Sequence, residues 1–202
     1  MKIDVSTTPA SELYQILTRV VTPRPIAWVT TIDLAGRVNL APFSFFNVFA
    51  SNPPVVIFSP TFRRDGTKKD TLRNIEATRE FVVNAAVESL AEEVNLSSKE
   101  VGPEESEIEL TRLSTRPSDR VRPPGLAESP VSMECKLLQI IEIGQGPGAA
   151  NLVIGEVVAI HLDDAILDPA GKVDSSKLRT IGRLGGDEYC RLGDVFRMER
   201  PR

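Results

Sequence analysis

Asn39-Leu40-Ala41-Pro42-Phe43-Ser44-Phe45-Phe46-Asn47 gathers three phenylalanines, a serine and two asparagines around one proline. Side-chain amides and a hydroxyl inside an apolar run are poor core material, because burying them unpaired costs free energy. They suit a wall against which an aromatic, hydrogen-bonding ligand can lie. Downstream, Lys69-Asp70-Thr71 sets a cation, a carboxylate and a hydroxyl at the predicted start of a helix, where outward-pointing amides favour an anion. A flat ring at one end and a phosphate at the other describe a nucleotide-like cofactor, and the two segments together read as a flavin site.

Composition bounds the alternatives. At 202 residues, 41% hydrophobic and 26% charged, the chain is expected to form one domain with its own core, residues 1–202. A net charge of -4 argues against nucleic acid as the main partner, since binders of a phosphate backbone are ordinarily basic. No run is long and apolar enough to cross a bilayer, and Met1-Lys2-Ile3-Asp4-Val5 lacks the charged-then-apolar pattern of a secretion signal. The expected location is cytoplasmic, where Cys135 and Cys190 remain free thiols. Two cysteines and one histidine do not make a familiar zinc site, and no metal ligand set is expected.

Periodicity supplies the elements. Leu13, Ile16, Leu17 and Val20 predict an amphipathic helix over 9–20, opened at Thr8-Pro9 and ended by Thr22-Pro23-Arg24-Pro25. Residues 26–32 and 38–41 read as a hairpin around Asp33–Gly36, and 55–58 as a central strand. A helix is predicted over 68–77 with Leu72 and Ile75 inward, capped by Thr67-x-x-Asp70, followed by a strand at 81–84 and a helix at 88–96. Residues 97–130 are charged and rich in serine and proline (Pro103, Pro117, Pro123, Pro124, Pro130), longer than most loops, and read as an excursion covering a pocket or a partner subunit. Two long strands follow, with apolar alternation at Val131, Met133, Cys135, Leu137, Ile141 and Ile143, then at Leu152, Ile154, Val158, Ile160 and Leu162. Their length and tight connection favour a barrel. A last strand is predicted near Val195–Met198.

Several motifs have competing accounts. Gly144-Gln-Gly-Pro-Gly-Ala149 matches a loose dinucleotide fingerprint, but a strand follows where a helix is needed, so a hairpin tip explains it better. His161, the lone histidine, is either satisfied structure or a group beside a cofactor edge. Arg24 is presented between two prolines, either as a surface turn residue or as a preorganised ligand contact. Thr30 and Thr31 are either ordinary strand residues or contacts to a phosphate and a ribityl chain. Lys69 with Thr71 either begins a helix or binds phosphate through charge-assisted hydrogen bonds.

Taken in order, Pro23-Arg24-Pro25-Ile26-Ala27, the Asn39–Asn47 stretch, Asn52-Pro53-Pro54, Lys69-Asp70-Thr71 with Asn74-Ile75, and Glu80-Phe-Val-Val-Asn84 resemble the flavin reductase-like, FMN-binding split-barrel proteins. Pro123-Pro124, Glu128-Ser-Pro-Val131 and Arg183-Leu-Gly-Gly-Asp-Glu-Tyr189 extend the resemblance over residues 12–198. It implies a mainly β fold with flanking helices, a six-stranded antiparallel split β-barrel that forms a homodimer and holds FMN, or FAD, in a groove between subunits. It implies that Ala41, Pro42, Phe43, Ser44, Phe45, Phe46 and Asn47 line the ring and ribityl chain. Thr30, Thr31, Lys69, Asp70 and Thr71 are then expected toward the phosphate, with Arg24 as a further cofactor contact. His161, Arg183 and Tyr189 are candidates near the site, with Tyr189 at the dimer interface or near the cofactor of the other subunit.

The implied activity is an NAD(P)H-dependent flavin reductase. NADH or NADPH passes hydride to the flavin, and the electrons go on to an acceptor such as a monooxygenase. The cofactor carries that chemistry, so no catalytic side chain is expected. Two other classes fit the same residues: an electron-transfer flavoprotein with tightly bound FMN and no NAD(P)H activity, and a cofactor-free structural dimer.

Overall fold

One antiparallel sheet organises the chain. The computed structural model describes every residue except Arg64, Pro103, Glu104, Pro147 and Arg202. Pro103 of the excursion and Pro147 of the glycine turn thus lie outside the described residues. In chain order the elements are α1 (Ala10–Val20), β1 (Ala27–Ile32), β2 (Val38–Phe43), β3 (Phe46–Ser51), β4 (Pro54–Phe58), α2 (Asp70–Thr78), β5 (Glu80–Ala85), α3 (Ala91–Leu96), α4 (Glu107–Thr111), β6 (Thr115–Arg116), β7 (Gly125–Leu126), β8 (Val131–Ile143), β9 (Ala150–Leu162), α5 (Ser175–Leu178), β10 (Ile181–Arg183) and β11 (Tyr189–Arg191).

The main sheet runs β2-β1-β5-β8-β9-β4-β3. Its two edge strands, β2 and β3, are neighbours in sequence, separated only by Ser44-Phe45. The sheet therefore wraps round until its edges approach, and remains open between them. It has seven strands, not the expected six. The additional strand is β3, only the first two residues of which belong to the stretch read as a ligand wall; as an edge strand it leaves Asn47–Ser51 exposed.

Strand alternation creates two cores. Inside the wrapped sheet Ala27, Val29, Phe43, Phe58, Phe81 and Val153 meet, joined by Leu72 and Ile75 of α2. Phe58 links the rings, with centroids 5.2 Å from Phe43 and 5.4 Å from Phe81. Burying Leu72 and Ile75 contributes roughly 1.5–3 kcal/mol each. Outside the sheet, Trp28 and Leu40 pack with Val94 of α3 and Leu126 of the excursion. Trp28 Nε1 donates to Ser97 Oγ at 2.9 Å.

Local expectations are corrected at several points. α2 starts at Asp70 and has no side-chain cap; the Thr67 amide and hydroxyl bond Asp65 instead. In β8 a register shift between Leu137 and Gln139 turns Ile140 toward the inner core and leaves Ile141 and Ile143 exposed. In β9 the inward face is Val153, Gly155 and Val157; Leu152, Ile154, Val158, Ile160 and Leu162 occupy the less buried face. Both faces of β9 are apolar, so alternation alone does not choose between them. No strand forms at Val195–Met198; the last is β11, paired with β10. The excursion lies on the chain's own sheet, where Glu107 accepts from the Leu40 amide at 3.2 Å and Asn84 Oδ1 accepts from the Leu126 amide at 2.9 Å. The glycine turn does connect two strands, β8 and β9.

Gly155 shows how tightly the inner core is filled. A Cβ there would come within 2.3 Å of Phe81 Cζ. Gly155→Ala is therefore expected to destabilise the fold by about 1–3 kcal/mol through overpacking. Thermal or urea denaturation measures the loss, and an unchanged midpoint would count against this packing.

Candidate flavin site

The segment crossing from β2 to β3 sorts its side chains by face. Phe43 is buried in the inner core and Phe46 packs against it. Phe45 is 40% exposed and meets Tyr14 edge-on at 6.3 Å, with the Arg24 guanidinium 5.9 Å from its ring. Pro42 and Ser44 face outward into a cavity of about 430 Å³, whose far wall includes Arg183 and Tyr189. Ala41 is half-buried, and Asn47 is exposed with its side-chain oxygen bonded to the Val48 amide at 2.8 Å. The stretch is thus part core anchor and part wall.

The C-terminal hairpin reaches this wall through backbone pairing. Arg24 and Arg183 exchange amide-to-carbonyl bonds of 3.0 and 2.9 Å. Arg183 stacks on the Tyr189 ring at 4.4 Å, and the Tyr189 hydroxyl donates to Asn95 Oδ1 at 3.4 Å. Both candidates from the closing motif therefore stand beside Ser44.

Lys69 occupies the N-cap position of α2, 5.9 Å from the Phe43 ring. Burial holds its ammonium below the ordinary lysine range; Glu100 opposes that shift and Arg63 adds to it. Among the described residues no carboxylate pairs with it. A half-buried, unpaired cation at a helix start is an anion site in waiting. Phe43 also touches Phe58, and the next residue, Ser59, has a buried hydroxyl with no partner. Ser59 was not among the expected residues. The only sequence signal for it is its place directly after the apolar strand Val55–Phe58.

Other expected phosphate contacts are engaged within the chain. Thr30 and Thr31 point to opposite faces of β1. Thr30 Oγ1 donates to Pro124 O at 2.6 Å and accepts from Asn84, while Thr31 Oγ1 accepts from Asn74 at 3.1 Å. Thr71 Oγ1 accepts from Asn39 at 3.0 Å and is buried. These bonds fasten α2 and the excursion to the sheet. The Asp70 carboxylate is shared by Arg63 and Arg73, which neutralises a charge that would otherwise repel an anion beside Lys69.

His161 does not line the wall cavity. Its Nε2 lies 2.5 Å from Oε1 of Glu134, which is fully buried and also accepts the Asp119 and Arg120 amides at 2.8 and 2.6 Å. Asp119, Glu134 and His161 are metal-ligand types with ligating atoms within 4.8 Å of one another. Glu134 accepts two amides of the excursion and pairs with His161 on β9, so the cluster acts as a clamp holding the excursion to β8 and β9.

Comparison with known proteins places this geometry. Residues 18–178 match the model of the flavin reductase like domain, and the chain belongs to that family of flavin-linked oxidoreductases. The crystal structure of nitrilotriacetate monooxygenase component B from Bacillus cereus is 35% identical, covers 98% of both chains and superposes with a TM-score of 0.92. The Pseudomonas fluorescens 2-nitrobenzoate 2-nitroreductase NbaA is 32% identical, covering 100% of this chain and 96% of that one, with a TM-score of 0.88. The Bacillus subtilis protein YwrF is 41% identical and covers 95% of each chain. Among the described residues, no helix is long and apolar enough to cross a membrane.

The clamp is sensitive to acid. Burial pushes the Glu134 carboxyl up, but the donors from Asp119, His161 and Arg120 outweigh it and hold the group below its ordinary value of 4.5. A carboxyl depressed in the folded state adds stability above its unfolded value, and that stability is lost as pH falls through the folded value. The native chain should therefore lose stability more steeply below about pH 4.5 than Glu134→Gln. Thermal unfolding against pH reads the difference; parallel acid limbs would remove Glu134 from this role.

Proposed function

We propose that the chain is an FMN-dependent oxidoreductase that takes hydride from NADH or NADPH and passes electrons to an acceptor. The half-buried, unpaired ammonium of Lys69 carries this reading. Bound in this site, a flavin supplies a ring that accepts hydride and releases electrons singly or in pairs. The residues present fit such a group. Lys69 and the free amides opening α2 offer donors to a phosphate. Pro42 and Ser44 offer a wall with one hydroxyl to the ring, where a donor stabilises growing negative charge. Phe43 and Phe46 anchor that wall in the core, so it is held rigidly.

The relatives support the chemistry. One similar protein bears the name of a monooxygenase component and another that of a nitroreductase. A two-component partnership, with this chain supplying electrons to a monooxygenase, follows that likeness. The working unit is a homodimer: β3 is an edge strand with Val48 and Phe49 exposed, and α1 leaves Tyr14, Leu17 and Val20 in solvent. Pairing covers such an edge and such a face. The cytoplasm, with its reduced nicotinamides and acceptors, is the setting for this role.

Two measurements test this account. Purified chain should take up FMN and bleach at the flavin band when NADH or NADPH is added. Uptake without bleaching would favour the electron-transfer flavoprotein, and no uptake of FMN or FAD at micromolar levels would end the flavin reading. Lys69→Ala should weaken FMN by roughly ten- to a hundredfold, about 1.5–3 kcal/mol, and riboflavin much less. Equal loss for both would remove Lys69 from the phosphate. Separately, sedimentation should give twice the 22.1 kDa chain mass; a monomer that retains FMN would sink the homodimer.

A further inference from the structure

Three guanidinium groups, from Arg19, Arg24 and Arg183, line the cavity in front of Ser44, with Tyr14 and Tyr189 beside them. Among the described residues none of the three has a carboxylate partner. That is unexpected in a chain of net charge -4.

Arg24 is the most telling. It is only 6% exposed. Its Nη1 donates to the Thr18 and Val21 carbonyls and its Nη2 to the Leu184 carbonyl at 2.9 Å, but its buried Nε has no partner. Burial and the nearby Arg183 charge both work against its protonated form, while Tyr14 favours it. A desolvated charge held by carbonyl dipoles and the Phe45 ring is costly unless an anion completes the site. The other two are placed by built features. Arg183 lies on the Tyr189 ring and donates to the Gly186 carbonyl at 2.5 Å. Arg19 lies over Gly185, where a Cβ would come within 2.3 Å of its Cγ. The Gly185-Gly186 turn is therefore shaped to admit it.

We propose that this cavity binds the second reactant of the flavin site, a flat small molecule bearing a carboxylate or a phosphate. Guanidinium forks match both oxyanions geometrically, and tyrosine faces suit a flat ring. Two sources present that chemistry: an aromatic carboxylate acceptor and the phosphates of a nicotinamide dinucleotide. The assignment rests on the flavin reading only through the shared Pro42–Ser44 wall.

The test is titration calorimetry on the full-length, FMN-loaded chain with benzoate, benzamide and NADP⁺, repeated with Arg183→Gln. Benzoate or NADP⁺ should bind and should weaken about tenfold or more in the variant, while the FMN dissociation constant holds. Benzamide, with the same ring and no charge, should bind about tenfold more weakly than benzoate if the carboxylate is the ligand. Dependence on Arg183 for benzoate alone identifies a carboxylate acceptor, and for NADP⁺ alone the dinucleotide. No binding of either, or binding indifferent to Arg183, overturns the proposal. Loss of FMN affinity in the variant also overturns it, because the arginines would then serve the cofactor. Arg19→Gln gives the same readout if circular dichroism shows Arg183→Gln unfolded. If the chain takes up no flavin, the flavin reading fails, yet the titrations on flavin-free chain still decide the cavity by the same criteria.

Discussion

Everything in this molecule depends on how the sheet closes. Its first and last strands, β2 and β3, are consecutive in the chain and only Ser44-Phe45 separates them. Phe43, at the end of β2, reaches across to Phe58 on β4, next to the opposite edge. That ring contact fills the interior where backbone hydrogen bonds stop. The same two residues that cross the opening leave Ser44 facing the outer cavity. Closure and site are therefore one event: whatever holds Phe43 inside also holds the wall outside.

Charge is handled differently in the scaffold and in the site. Where a carboxylate serves the fold it is saturated. Asp70 has Arg63 and Arg73, and Glu134 has two amides and His161. Where cations face the proposed ligands, among the described residues they are left without carboxylates, as at Lys69 and the three arginines of the cavity. Unpaired charge in partial burial is destabilising, and its occurrence at these positions is what marks them as candidate binding residues.

Much of the candidate site was legible because its signals are local. The mixture at Asn39–Asn47 stands out within nine residues, and Lys69 opens a helix visible from Leu72 and Ile75. Thr30, Thr31 and Thr71 were less legible for the reverse reason. A hydroxyl looks equally available in sequence whether it faces a ligand or a neighbour, and here Asn74, Asn84 and Asn39 claim all three. The lone histidine likewise went to a clamp, a role set by Glu134 twenty-seven residues earlier on the paired strand. β3 escaped notice because an edge strand lacks the alternation that a covered face imposes.

By itself the sequence determined the strands β1, β2, β4, β5, β8 and β9, the helices α1, α2 and α3, the glycine hairpin and the side-chain chemistry that reads as a flavin site. These follow from periodicities of two and of 3.6 residues and from side-chain chemistry, all fixed by neighbours in the chain. Only the tertiary structure decided which face of β9 is interior, that seven strands rather than six form the sheet, and that Arg19, Arg24 and Arg183 share a cavity. Those outcomes depend on which layers cover which faces, and on a hairpin near the C-terminus pairing with Arg24. Contacts between residues so distant in sequence leave no period to read.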